Sequence, residues 1–477
     1  MDLGPPADTP VRVPASNPSI SVEIPDYSEA MPESRQLHLN AFLHDIGHHE
    51  AAWRLPESNP FDTVSVEHYI RLARIAEAGT FDSIFFADSP SLMNDPRYRP
   101  IGILEPLTLL AALAVSTEHI GLIATASTSY GDPYDLARRF ASVDHISGGR
   151  VGWNIVTSAD RNAALNFGLD DRALHRDRYE RAEEFLEVAQ KLWDSWEDDA
   201  PVGDKRAGLF AHGSRIHKID HEGRYYKVAG PLNTPRIPQG YPLLVQAGQS
   251  EAGRGFAGRH AEAVFTTQRS LEEGQAFYAD MKRRAVEAGR RPEEIVILPG
   301  IVPILGSTEA EVREREQAFD EQIIPEYGLV QISKYFDVDL TDADLDAPLP
   351  EVPPEEQIEG FKSRASLVEN LARGEDLTVR QLLAKLGWGR GHRSFAGTPE
   401  QLVDTIEQWF TGGAADGFNI MPPALPGDLQ TFVDHVIPEL RRRGLFRHEY
   451  EGTTLREHYG LPRPRSQYER ELSTSAA

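Results

Sequence analysis

The chain contains no cysteine. That absence removes disulfides, iron–sulfur clusters, zinc–thiolate sites and thiol nucleophiles together, so any redox chemistry must come from a borrowed cofactor. Positive charge is scarce as well: 49 Lys plus Arg stand against 74 Asp plus Glu, a net charge of −25. A nucleic-acid or anionic-membrane surface needs clustered Lys and Arg, and neither partner is expected. No apolar run reaches the roughly 18 residues that a membrane-spanning helix requires. The N-terminus lacks the basic start and apolar stretch of a signal peptide, so the cytoplasm is the expected compartment. No G-x-G-x-x-G follows the first strand, which counts against an open dinucleotide-binding sheet.

What the chain does have is a regular alternation of strand and helix signals between two tails. Residues 1–34 hold seven prolines among small polar residues and read as a disordered tail, with Met31 as a second candidate start. Residues 465–477 read as a second frayed end. In between, LHLNAFL (37–43), FDSIFFAD (81–88), IGLIATAS (120–127), RVGWNIVT (150–157), PLLVQAG (242–248), AVFTT (263–267), IVILPGIVPIL (295–305) and GFNIMPP (417–423) have strand character. Helical spacing fills 64–79, 105–115 and 175–196, and Asp132, Pro133 and Gly148-Gly149 mark a helix start and stop. Eight alternating strands and helices over this length predict a single (β/α)8 barrel across 35–464. Two stretches exceed ordinary loop length: 198–240, with a hairpin, and 325–395, rich in proline and acid. Long insertions of this kind serve more often as lids and binding walls than as idle loops.

In a barrel the chemistry sits at the C-terminal strand ends. Those ends offer Asn40, Asp88, Thr125, Asn154 and Ser250, together with the loop HDIGHH after the first strand. His44, His48 and His49 with Asp45 could ligate zinc or iron, but a polar pocket wall is the favoured reading, and no metal is expected. Asp88 ends a strong apolar strand, where a carboxylate either caps a turn or accepts hydrogen bonds from a ligand. Thr125 lies among small residues that leave room for something flat, or simply fill the barrel. Asn154 offers donor and acceptor to a heterocycle edge, or satisfies neighbouring backbone. His175 and Tyr179 share one face at a helix start; for Tyr179 the alternative is core packing. Ser250 opens SEAGRGFAG directly after a strand, where free backbone N–H groups would attract a phosphate; a plain helix cap is the alternative.

Several of these segments also carry a resemblance. RQLHLNAFLHDIGHHEAAWR, FDSIFFAD, GRVGWNIVTS, HRDRYERAEEFLEVAQKLW, LLVQAGQSEAGRGFA, FAGTPEQLVD, ADGFNIMPP and GLFRHEYEGTTLREHYGLPRP occur in this order. Over residues 35–464 the chain resembles the nitrilotriacetate monooxygenase component A family of bacterial luciferase-like flavin monooxygenases. That resemblance implies a (β/α)8 barrel binding FMN, supplied reduced (as FMNH2) by a separate NAD(P)H:flavin reductase. Asp88 and Thr125 match positions at the flavin ring; His175, Tyr179 and Ser250 match positions at the phosphate end; Asn154 is placed near the ring. Gln249-Ser250 departs from a frequent Ser-Ser, residues 1–30 have no usual counterpart, and the reactive cysteine proposed for the alkane oxidiser is absent.

The implied reaction is oxygenation of a small organic substrate by a C4a-hydroperoxyflavin. Related enzymes act on polyaminocarboxylates, aromatic sulfones and alkanes, so the substrate stays open. His44, His48 and His49 are expected to manage the peroxide proton, since imidazole titrates near neutrality, and the 325–395 insertion to form a substrate wall. A homo-oligomer is expected. The rival readings are a deazaflavin-dependent oxidoreductase on the same barrel, a metal-dependent barrel hydrolase, and a non-catalytic flavin-binding module.

Overall fold

The computed structural model describes residues 35–468, apart from 93–94, 101–103, 159, 170–174, 355–356, 359–361 and 390. The proposed tail 1–34, with Met31, and residues 469–477 lie outside the described residues; residues 465–468 of the proposed frayed end are described and packed, with Gln467 N–H donating to Asp194 at 3.0 Å and Tyr468 stacked on His217 at 3.9 Å. Eight parallel strands close on themselves: β1 His38–Phe42, β2 Ser83–Phe86, β3 Gly121–Ser127, β4 Val151–Val156, β5 Leu243–Gln246, β6 Ala263–Thr266, β7 Val296–Leu305 and β8 Gly417–Ile420. Each pairs with its sequence neighbour, and β8 returns to β1 in the register His38↔Gly417 to Ala41↔Ile420. Both faces of a parallel barrel are covered, which is why the strands read as near-continuous apolar runs.

The helices start and stop where side chains satisfy the orphan backbone groups. Ser65 accepts from His68 N–H at the start of the helix Val66–Ala78, and Asp132 accepts from Tyr134 and Asp135 N–H ahead of Pro133. Gly148, at φ 70°, ends that helix in the left-handed conformation. Apolar helix faces then pack onto the barrel, around Trp153, Phe185, Trp193 and Trp409, all buried.

The barrel interior is plugged from the N-terminal end of its strands by the short helix Leu455–His458. Leu455 is fully buried, and a methyl group at Gly121 would meet its Cδ1 at 2.2 Å, so glycine is required for this approach. Tyr459 lies 3.0 Å from the Ser83 hydroxyl inside the barrel. Asn40 belongs to this layer too: its Nδ2 donates to Asn419 at 2.6 Å, and its Oδ1 accepts from Ser83 at 2.8 Å. It fills the barrel and does not reach the mouth.

The two insertions differ from their expected form. Segment 198–240 makes two short antiparallel pairings, Pro201–Asp204 with Leu209–Ala211 and His221–Glu222 with Lys227–Val228, where one hairpin was expected. Segment 325–395 is largely helical, with helices Pro325–Phe336, Lys362–Gly374 and Val379–Gly389 around a small core of their own that includes Leu329, Ile332, Phe336, Leu382 and Leu383. It ends in a further strand, Arg393–Gly397, which pairs with the second half of β7.

Candidate active site

The C-terminal strand ends converge on one mouth, floored by Phe42 of β1, Phe85 of β2 and Phe265 of β6, with ring centroids 4.7 to 6.0 Å apart. Beside β1 and β2 this mouth opens into a cavity of about 820 Å³, roofed by the helical insertion. His44, Asp45 and Asp88 line the barrel side; Tyr327, Gln331, Ile332 and Arg364 are on the insertion side. Segment 198–240 contributes nothing to it.

The HDIGHH loop turns sharply because Asp45 adopts φ 47°, and its three imidazoles end in different surroundings. His44 faces the cavity, its Nδ1 3.0 Å from Asp45 Oδ2, while Arg99 Nη2 sits 3.3 Å from the same carboxylate. His48 is buried against the Phe42 ring and its Nε2 lies 2.9 Å from the Phe42 carbonyl. His49 is pinned between Phe319 and Trp388, with centroids at 4.6 and 4.4 Å. Burial, helped by the Arg99 charge, pushes its pKa down to about 3. It does not line the cavity, so the expected shared role of three histidines is corrected to His44 at the wall, with His48 behind it and His49 seating the insertion. Among the described residues, no three His, Asp or Glu side chains are grouped to hold a metal ion.

Asp88 follows β2 into the cavity wall. Desolvation, reinforced by the charge of Glu105, raises its pKa to about 6, so it exchanges a proton near neutrality. Thr125 and Asn154 are register partners on β3 and β4. Asn154 Nδ2 donates to Thr125 Oγ1 at 2.8 Å, while the buried Asn154 Oδ1 has no partner. A buried acceptor left unmatched costs free energy unless a ligand supplies the donor.

The third group lies at β5. Ser250 caps the helix Glu251–His260 and accepts from Gly253 N–H at 3.1 Å. Tyr179 comes from the helix His175–Trp193, and its hydroxyl sits where side chains at Gly248 and Gly253 would be: a methyl there would lie 3.0 and 2.8 Å away. Glycines, a hydroxyl and a helix N-terminus together form a cradle suited to a phosphate. His175 opens its helix as expected, but its side chain lies outside the described residues. Thus Tyr179 and Ser250 are brought together, as are Thr125 and Asn154, and His44 shares the cavity with Asp88.

Residue spacing did not reveal three further groups. Gln246 Oε1 accepts from Gly248 N–H at 2.5 Å and shapes the cradle's entry. His392 stacks on Phe265 at 5.1 Å and lies 3.3 Å from Thr267 Oγ1. Gln331 and Arg364 line the cavity from the insertion. His392, Gln331 and Arg364 come from segments whose approach to the mouth depends on tertiary packing, and no motif marks them; Gln246 lies at the end of β5 within the PLLVQAG run, where its side chain was not singled out.

A closed parallel barrel whose mouth joins a glycine-lined helix N-terminus, a buried amide acceptor without a partner and a cavity fits a flavin-dependent monooxygenase. The chain belongs to the luciferase-like monooxygenase family, whose model matches residues 44–416. It is 47% identical to nitrilotriacetate monooxygenase component A of Aminobacter aminovorans, over 91% of this chain and 99% of that protein. Among solved structures it is similar to the EDTA monooxygenase of Chelativorans sp. BNC1, 39% identical over 90% of this chain and 99% of that one, with a TM-score of 0.76. A riboflavin lyase solved with modified FMN and riboflavin is 32% identical over 89% of this chain and 96% of its own, with a TM-score of 0.77.

Proposed function

We propose that this protein is the oxygenase of a two-component system, binding FMN delivered in reduced form by a separate NAD(P)H:flavin reductase in the cytoplasm. The Tyr179 hydroxyl set against Gly248 and Gly253, beside the N-terminus capped by Ser250, carries this reading. Tyr179, Ser250 and His175 are assigned to the FMN phosphate. Asn154 Oδ1, which lacks a donor inside the protein, is assigned to an N–H of the ring, with Thr125 and Asp88 at the ring's edges. Bound reduced FMN supplies the activation of O2, which side chains alone cannot perform.

The remaining work belongs to the protein. The insertion roofs the cavity and keeps water from the reacting centre. The carboxyl of Asp88, with its pKa raised to about 6, holds a proton for part of the population at working pH. His44, oriented by Asp45, is the cavity-facing group that takes or returns a proton next to the substrate.

Anaerobic titration with photoreduced FMN tests the reading. Tyr179→Phe, Ser250→Ala and His175→Ala should each weaken binding about ten- to hundredfold, because charge-assisted hydrogen bonds are lost. Wild-type affinity in all three variants sinks the placement. With NADH, FMN and O2 alone the protein should not sustain NADH oxidation, and an unrelated FMN reductase should start flavin turnover. Tight binding of reduced deazaflavin, with none of reduced FMN, overturns the cofactor assignment.

A further inference from the structure

Two donors on the insertion's inner face have no use within the protein. Arg364, in the first turn of the helix Lys362–Gly374, lines the cavity and, among the described residues, makes no hydrogen bond or ion pair. Gln331, on the helix Pro325–Phe336, lines the same cavity with its Nε2 buried and unpartnered. The insertion's outer arginines behave differently: Arg373 pairs with Glu369 at 2.9 Å and Arg380 with Asp346 at 2.9 Å, although both pairs are exposed. In a chain of net charge −25, acidic partners are plentiful, so a half-buried guanidinium left without one calls for a ligand.

The acids across the cavity do not provide it. Asp45 is shared by His44 and Arg99. Glu105 accepts from Leu107 and Thr108 N–H as a helix cap. Neither they nor Asp88 and Glu50, which also line the cavity, pair with Arg364. Lys334 adds another positive charge to the insertion side, and Ile332, Leu367 and Leu383 surround the donors with apolar surface.

We infer that Arg364 and Gln331 recognise a carboxylate of the substrate. A guanidinium fork matches a carboxylate with two parallel hydrogen bonds, and an amide N–H can supply a third. The apolar surroundings strengthen these bonds and favour a substrate whose remainder is uncharged near this wall. The acid would be held under the insertion with its other end toward His44 and the barrel mouth. The fate of that end rests on the oxygenase reading; recognition of the acid does not.

Calorimetry on the full chain tests this with nitrilotriacetate and 4-phenylbutyrate, each set against its neutral amide. The wild type should bind at least one acid about tenfold more tightly than its amide. Arg364→Met should erase that preference, Arg364→Lys should restore part of it, and Gln331→Leu should reduce it several-fold. Reduced FMN should bind all variants like the wild type, which also confirms that they fold. Equal binding of acid and amide by the wild type, no binding of either acid, or an undiminished preference in Arg364→Met overturns the assignment. A wild type that shows the acid preference but does not bind reduced FMN would instead refute the oxygenase reading alone.

Discussion

Asp88→Asn should make the protein more stable while impairing its function. The carboxyl's pKa is raised from 3.8 to about 6 by burial, with Glu105 contributing like charge. A folded-state pKa above the unfolded one means that the ionised form is disfavoured by folding. The penalty is absent where both states are protonated, grows as pH rises from about 4 to 6, and is constant above that. Two pK units correspond to about 3 kcal/mol. Because Asp88 is partly exposed at the cavity wall, solvent screening lowers this to about 1–2 kcal/mol. Asparagine keeps the shape and cannot ionise, so urea unfolding at pH 8 should show the variant more stable by that amount. At pH 5 the difference should shrink to about half. On the proposed placement of Asp88 at the ring's edge, the same variant should release more hydrogen peroxide per FMN oxidised, because a proton-exchanging group is lost there. A stability difference independent of pH between 5 and 8, or a less stable variant at pH 8, would refute the reasoning.

Gly253→Ala should run against helix propensity, which normally favours alanine by about 1 kcal/mol. The added methyl would lie 2.8 Å from the Tyr179 hydroxyl and 3.0 Å from Gly248 Cα, so the affinity for reduced FMN should fall about tenfold in a fluorescence titration. His49 stays neutral in the fold down to about pH 3, whereas the unfolded chain protonates it near 6.5. Its contribution is complete above pH 6.5 and is lost as pH falls, so His49→Gln should flatten part of the acid-side decline in melting temperature. Leu455→Ala empties the space against Gly121 and Gly152 and should cost about 2–5 kcal/mol in urea unfolding, with little change in reduced-FMN affinity.

All eight barrel strands were legible because apolar runs bounded by turn residues are local signals, and each observed strand lies within the expected segment. The helix start at Asp132 was equally local, since a cap is a hydrogen bond to a group two or three residues away, as was the cap that was one of two readings for Ser250; the cap at Ser65 went unread inside the 64–79 helix. The insertion was under-read for a different reason. Leu329, Ile332 and Phe336 stand at helical spacing, but the prolines and acids between 339 and 356 dominate the composition and obscure the small core that these residues form.

Tertiary structure alone decided what becomes of residues with the same chemistry. His44, His48 and His49 lie within six positions of one another, yet one reaches the cavity, one packs on Phe42 and one is locked against Trp388. Nothing local separates them, because the deciding neighbours are 270 and more positions away in the chain for His49. The paired arginines Arg373 and Arg380 and the unpaired Arg364 sit within seventeen positions, and only the placement of distant carboxylates distinguishes them. The sequence by itself determined the barrel and its strand order, written in periodicity and adjacent residues, whereas the approach of the Tyr179 hydroxyl to Gly248 and Gly253 was decided by the fold. The cavity, its donors and the half-buried His44 on its wall arise where segments far apart in the chain meet. Burial and pairing there depend on three-dimensional distance, which spacing along the chain does not encode.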